Sequence, residues 1–198
     1  MARPRKFDET RAVGSAMDAF WRRGYRATST RDLSESTGIG PSSLYNTFGD
    51  KRQLYLRSLR QYFDTRTVAQ TAALRAAGSP RARIREMMAD AVDLDLAGTG
   101  PAGCFSIKAL IEMGHSDPDV DAELARHFGA VEEALRETVA DGQAAGEFAP
   151  DGDPVVLARR VMSTYYGLRV LVRIHQDREA LLDVVDSALD ALGPTATR

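Results

Sequence analysis

Apolar residues recur along this chain at helical spacing, and no stretch shows the strict alternation of a half-buried strand. Val13, Ala16, Met17 and Phe20 fall at i, i+3, i+4 and i+7, one stripe on a helix that opens near Asp8 and stops at Gly24. Gly38, Gly40 and Pro41, then Gly49 and Asp50, cut the next thirty residues into two helices of about eight residues each. A longer pattern runs from Lys51 through Tyr55, Leu59, Tyr62 and Phe63 to about Ala77, where Gly78, Ser79 and Pro80 end it and restart a helix. The domain boundary is expected inside this fourth helix.

Further helices are expected from about Arg81 to Ala97, from near Cys104 after a glycine-rich loop, and from Asp117-Pro118 to about Gly146. The one opened by Asp153-Pro154 is apolar on two sides, with Leu157, Val161, Tyr165, Leu168 and Val172 on one and Met162, Tyr166 and Val170 on the other. The last, from Asp177 to Leu192, carries a stripe too wide for a single neighbour. A subunit interface is the natural place to bury both surfaces. The chain therefore reads as all-α.

A length of 198 residues allows one compact unit or a small domain fused to a larger one. A hydrophobic fraction of 43% with 27% charged residues excludes fibrous and disordered classes. No apolar run approaches the ~18 residues of a membrane span. The first residues lead into a charged helix and not into the apolar core of a secretory signal, so a cytoplasmic protein without a membrane partner is expected. The single cysteine, Cys104, suits a reducing compartment. His115, His127 and His175 lie far apart, which gives no local support for a metal site, and no cofactor motif is present.

Charge is unevenly distributed. Residues 1–66 carry 13 Lys and Arg against 7 Asp and Glu, while the chain as a whole has a net charge of -2. The basic third contains the segment from Gly24 to Leu54, where Ser29 and Asp32 have the spacing of an N-cap and its N3 carboxylate, and Pro41 opens the next helix. Two short helices about a glycine-containing turn make a helix-turn-helix, whose second helix enters the major groove and offers its first residues to base edges. Leu33, Ile39, Leu44 and Phe48 alternate with those residues as core. The surface set is Pro41, Ser42, Ser43, Tyr45 and Asn46. Arg31 and Lys51, and an arm of Arg3, Arg5 and Lys6, are placed to neutralise phosphates, and Ser29 is also expected among the DNA-binding residues.

The runs G-Y-x-A-T-S, T-G-I-G-x-x-S-L-Y and F-G-D-K-x-x-L give this segment its resemblance to the TetR/AcrR family of bacterial transcriptional regulators, over about residues 7 to 63. Beyond them the likeness is one of helix number and length, though G-C-F followed by E and D-P resembles one subgroup. The resemblance implies an N-terminal three-helix DNA-binding domain, residues 1–55, joined by a long helix to a larger effector-binding and dimerisation domain, residues 56–198. It implies a dimer that binds a near-palindromic operator on double-stranded DNA and leaves it when a small molecule enters the C-terminal domain.

Met87, Met88, Cys104, Phe105, Lys108, Ile111, Phe128, Met162, Tyr165 and Tyr166, with Met113, are the residues expected to line an effector pocket, since methionine and aromatic side chains adapt to apolar ligands. Cys104, at a helix start one turn from Lys108, has features that favour a thiolate and hence electrophile or oxidant sensing, but a single cysteine beside Phe105 and Ile107 is more often a small buried hydrophobe. A helical carrier or enzyme without operator binding is the alternative function. No paired nucleophile and base, zinc helix or phosphate loop supports it, and such a protein would not require the basic third. An adaptor that only dimerises would leave the Ser42 to Asn46 surface unexplained.

Overall fold

The computed structural model describes residues 7–98 and 103–193. Among them the chain forms nine helices: α1 (Glu9–Arg23), α2 (Thr30–Thr37), α3 (Pro41–Phe48), α4 (Lys51–Leu74), α5 (Pro80–Leu96), α6 (Phe105–Met113), α7 (Pro118–Ala144), α8 (Pro154–Leu171) and α9 (Arg178–Asp190). Local chemistry sets most of the starts. Asp8, Ser29, Ser79, Asp153 and Asp177 each accept a backbone N–H of the first turn, and Pro41, Pro80 and Pro154 occupy first-turn positions where a missing N–H costs nothing.

The described residues separate into two compact units. One holds residues 7–65 together with Phe105–Leu124, and the other holds residues 66–98, 103–104 and 125–193. The first unit therefore extends past residues 1–55. It also takes in α6 and the start of α7, which bring one lysine against five acidic residues and offset most of the positive excess counted along residues 1–66.

In the first unit α1 packs on α2, and α2 on α3, about Ala16, Phe20, Leu33, Leu44 and Phe48, all essentially without exposure. Phe105 joins this unit through ring contacts with Trp21, Tyr55 and Tyr62 at centroid distances of 5.9, 5.9 and 5.5 Å. Lys108 Nζ donates to the carbonyls of Trp21 and Arg22 at 2.9 and 3.0 Å, capping the C-terminal end of α1, and the Tyr25 N–H donates to Glu112 at 2.5 Å. Arg52 forms a fork on buried Asp117 at 2.6 and 2.7 Å and also reaches Asp119 at 2.6 Å.

The second unit packs α5, α8 and α9 against one another and against the later part of α7. Its core includes Ile84, Met88, Leu135, Val139, Phe148, Val161 and Val185. Phe148 folds back onto α7 at Gly142, where a β-carbon would collide with the phenyl ring, so glycine is required there.

The fourth helix ends at Leu74 and not near Ala77. Nothing in Arg75-Ala76-Ala77 opposes a helix, but the Leu74 carbonyl accepts from Arg83 Nη1 at 2.9 Å and Thr138 Oγ1 at 3.2 Å, and these tertiary bonds replace the next helical turn. The two-sided apolar character of α8 is also divided. Leu157, Val161, Tyr165 and Leu168 are buried and Met162 and Tyr166 half-buried, whereas Val156 and Val170 are exposed.

The Arg52 guanidinium holds the Asp117 carboxyl below the usual carboxylate range, chiefly through its hydrogen bonds, with burial opposing. A depressed native pKa contributes stability above the unfolded pKa and loses it as pH falls through the native value. Asp117→Asn should therefore lower unfolding stability by about 1–3 kcal/mol at neutral pH. The gap to wild type should close below pH ~4, as followed by urea denaturation across a pH series.

Candidate nucleic-acid interface

Ser29 spends its polar atoms on α2. Its Oγ accepts from Asp32 N–H at 3.2 Å while the Asp32 carboxylate accepts from the Ser29 N–H and Oγ–H at 2.8 and 2.7 Å. These bonds and a nearby Arg23 guanidinium lower the Asp32 pKa to about 2. The helix ends at Gly38, whose φ of 70° lies in the left-handed region that favours glycine, and the chain turns through Ile39 into α3.

The third helix turns two faces to different surroundings. Leu44 and Phe48, four residues apart, are buried; Pro41, Ser42, Ser43 and Asn46 are exposed. No side chain caps its N-terminus, so the first-turn N–H groups of Ser42 and Ser43 remain open beside the two hydroxyls. Tyr45 is half-buried, with its hydroxyl 2.6 Å from Thr30 Oγ1. The structure thus brings Pro41, Ser42, Ser43, Tyr45 and Asn46 onto one surface, and Thr30 supports it. Sequence reasoning passed over Thr30 because a first-turn hydroxyl beside an N-cap serine carries no sign of a partner fifteen positions away.

The basic side chains are more committed than their count suggests. Arg31 is exposed but donates to Glu35 at 2.7 Å. Lys51 lies 4.5 Å from the centre of the Tyr25 ring, and burial lowers its pKa against the raising effect of Glu112 and Asp32. Arg60 pairs with Glu123 at 2.6 Å. Arg3, Arg5 and Lys6 lie outside the described residues.

The residues expected around an effector divide between the units. Met87 and Tyr165 line a cavity of about 140 Å³ in the second unit, together with Arg66, Ala69, Gln70, Ala73, Asp90, Ala91, Leu94 and Arg169. Met88 and Cys104 are buried in that unit, and Met162 and Tyr166 are partly buried against its core. Phe128 stands edge-on to Tyr166 at 4.9 Å. Phe105 and Lys108 belong to the other unit, where they serve α1 and its ring cluster; Ile111 there is 78% exposed and Met113 half-buried. Helical periodicity marks such residues as apolar or pairable but does not say which unit they join.

His127 is buried between Thr67 Oγ1, 2.8 Å from Nδ1, and the Tyr166 hydroxyl, 3.4 Å from Nε2; burial and then Arg126 and Arg169 lower its pKa to about 4, so it is neutral near pH 7. Among the described residues no three His, Cys, Asp or Glu side chains gather as a metal site would require. No helix among them is long and apolar enough to cross a membrane.

Comparison with known proteins adds the following. Residues 13–57 match the model of bacterial regulatory proteins of the tetR family, and residues 80–188 match a tetracyclin repressor-like C-terminal domain. The chain is 29% identical over 188 residues to the HTH-type transcriptional repressor ComR of Escherichia coli (strain K12), covering 94% of this chain and 90% of that protein. It is 29% identical over 193 residues to the uncharacterized HTH-type transcriptional regulator YezE of Bacillus subtilis (strain 168), covering 97% and 100%. Among solved structures it is similar to a triple cysteine variant of the TetR family transcriptional regulator CifR, complexed with 26-bp double-strand operator DNA. That likeness has 32% identity and a TM-score of 0.79, over 96% of this chain and 100% of that one.

The hydrogen bond between Thr30 and Tyr45 generates a specific expectation. Thr30→Val should weaken duplex binding about twofold to tenfold, the scale of one net hydrogen bond, while Thr30→Ser restores it and neither change alters helical content. Fluorescence anisotropy on labelled operator measures the affinities.

Proposed function

The chain belongs to the TetR family of bacterial transcriptional regulators, and from that premise we propose that it is a ligand-responsive, DNA-binding repressor that acts in the cytoplasm. It binds double-stranded DNA as a homodimer on a near-palindromic operator. The observation that carries this reading is the exposed row of Pro41, Ser42, Ser43 and Asn46 beside Tyr45, on a helix whose other face is buried. Short polar side chains at the start of such a helix reach base edges, and an amide such as that of Asn46 suits paired bonds to adenine. The open N–H groups of Ser42 and Ser43, with Lys51 and Arg31, serve phosphates. Ser29 contributes through the helix it caps. The proposed division is an N-terminal DNA-binding part, residues 1–55, and a C-terminal effector and dimerisation part, residues 56–198, of which residues 56–65 and 105–124 pack in the same compact unit as the helix-turn-helix.

The second unit supplies what dimerisation needs. Val156, Val170 and Val184, with Leu171 and Ile174, are exposed on or just after α8 and on α9, although the buried faces of those helices already complete their own core. Pairing two copies over the last two helices removes this apolar surface from water. A twofold pair then presents two third helices to half-sites about 34–36 Å apart. An effector that favours another separation acts through a coupling of about 1–3 kcal/mol, enough to change operator affinity about 5- to 150-fold. The cavity lined by Met87 and Tyr165 is the place for that effector. Carrier and enzyme readings fall away, since this family consists of transcriptional regulators.

Asn46→Ala should weaken operator binding by roughly 5- to 150-fold, the 1–3 kcal/mol of a good base contact, and flatten the preference for operator over random duplex. Lys51→Ala should act nearly equally on both and reduce the salt slope by about 1. Equal effects on the two duplexes for Asn46→Ala would remove the base contact. Val170→Glu together with Val184→Glu should convert a dimer into a monomer in analytical ultracentrifugation and abolish tight operator binding; a persistent dimer would place the interface elsewhere.

A further inference from the structure

The cavity in the second unit has walls that restrict its occupant in size, charge and hydrogen bonding. At about 140 Å³ it is close to the ~150 Å³ apolar cavity that takes up benzene, so it suits one small ring or a short branched chain. Ala69, Ala73, Met87, Ala91 and Leu94 make most of its wall apolar. Its charges balance: Arg169 is held by Asp95 in a buried fork at 2.7 and 2.9 Å, and Arg66 and Asp90 are of opposite sign. An ion entering it would meet no net opposite charge in the lining.

The hydrogen bonding of the wall is incomplete at one position. Gln70 Nε2 donates to the Tyr165 hydroxyl oxygen at 2.8 Å, and Arg169 Nη1 donates to the same oxygen at 3.3 Å. With two donors on its oxygen, the Tyr165 proton is left to be given away. Gln70 Oε1 is buried and has no hydrogen-bond partner. Turning the amide over would let Tyr165 donate to that oxygen but would strand the NH₂ group instead, so either orientation leaves a polar atom unmet. A hydroxyl both donates and accepts, and so satisfies either orientation.

We propose that this cavity binds a small neutral molecule with a hydroxyl on an apolar body, of the phenol or cyclic alcohol class, the hydroxyl bridging Gln70 and Tyr165. This rests on the reading of the cavity as the effector site. The ligand hydroxyl donates to Gln70 Oε1 and accepts from the Tyr165 hydroxyl, while its ring lies against Met87 and Leu94.

Isothermal titration of the full chain, without DNA, with phenol, benzene and benzoate tests the ligand class. Phenol should bind at least tenfold more tightly than benzene, and benzoate no more tightly than benzene. Gln70→Leu should weaken phenol at least tenfold and leave benzene unchanged or stronger. Met87→Trp, which adds bulk to the apolar wall and leaves Gln70 and Tyr165 unaltered in identity, should abolish binding of both and serves if the Gln70 variant fails to fold. Equal affinities for phenol and benzene, tighter binding of benzoate, no binding of phenol, or phenol binding untouched by both variants would overturn the proposal. Operator release is read separately by anisotropy. Phenol bound in a Gln70-dependent way without release upholds the ligand class and contradicts the effector role; release by other compounds with no phenol binding contradicts the ligand class alone.

Discussion

An eight-residue helix has almost no stability of its own in water, so α3 exists because Leu44 and Phe48 are buried against its neighbours. That constraint fixes the exposed surface of the helix. With those two positions held inward, Ser42, Ser43 and Asn46 can only face outward, and the 3.6-residue period sets the angles between them. The capping box at Ser29 and the left-handed Gly38 then set where the preceding helix starts and ends, and hence where α3 begins. In the proposed reading, base contact by α3 therefore depends on a hydrophobic contact on the opposite side of the same helix.

The same unit draws support from far along the chain. Lys108 caps α1, Glu112 holds the turn after it, and Asp117 anchors Arg52 at the start of α4. These contacts occupy cations and carboxylates that a simple count treats as free. The sixth helix begins at Phe105, in the unit that holds the helix-turn-helix, directly after Cys104 in the other. The chain crosses between the units again within α4 and within α7.

Much of the fold was legible because its signals are local. Aspartate and serine caps, prolines in first turns and the i, i+3, i+4 stripes place most helix starts within a residue or two. The exposed polar row on α3 followed from the same periodicity. What stayed hidden depends on partners distant in sequence. The end of α4 is decided by Arg83 and Thr138, the orientation of Tyr45 by Thr30, and the membership of Phe105 and Lys108 by rings and carbonyls more than forty positions away. Around the cavity, Met87 and Tyr165 were marked by their chemistry, whereas Gln70 and Arg169 were not, since a glutamine on α4 and an arginine on α8 look like surface residues until the packing encloses them.

The most direct test of the central claim is to place a DNA-cleaving iron chelate on α3, through Ser42→Cys in a Cys104→Ser background, and map strand scission on operator DNA. The account requires two clusters of cuts, one in each half-site, with centres about one helical turn (10–10.5 bp) or a multiple of it apart. Scission spread evenly over the duplex, or confined to one cluster, would contradict a twofold pair reading the major groove through this helix.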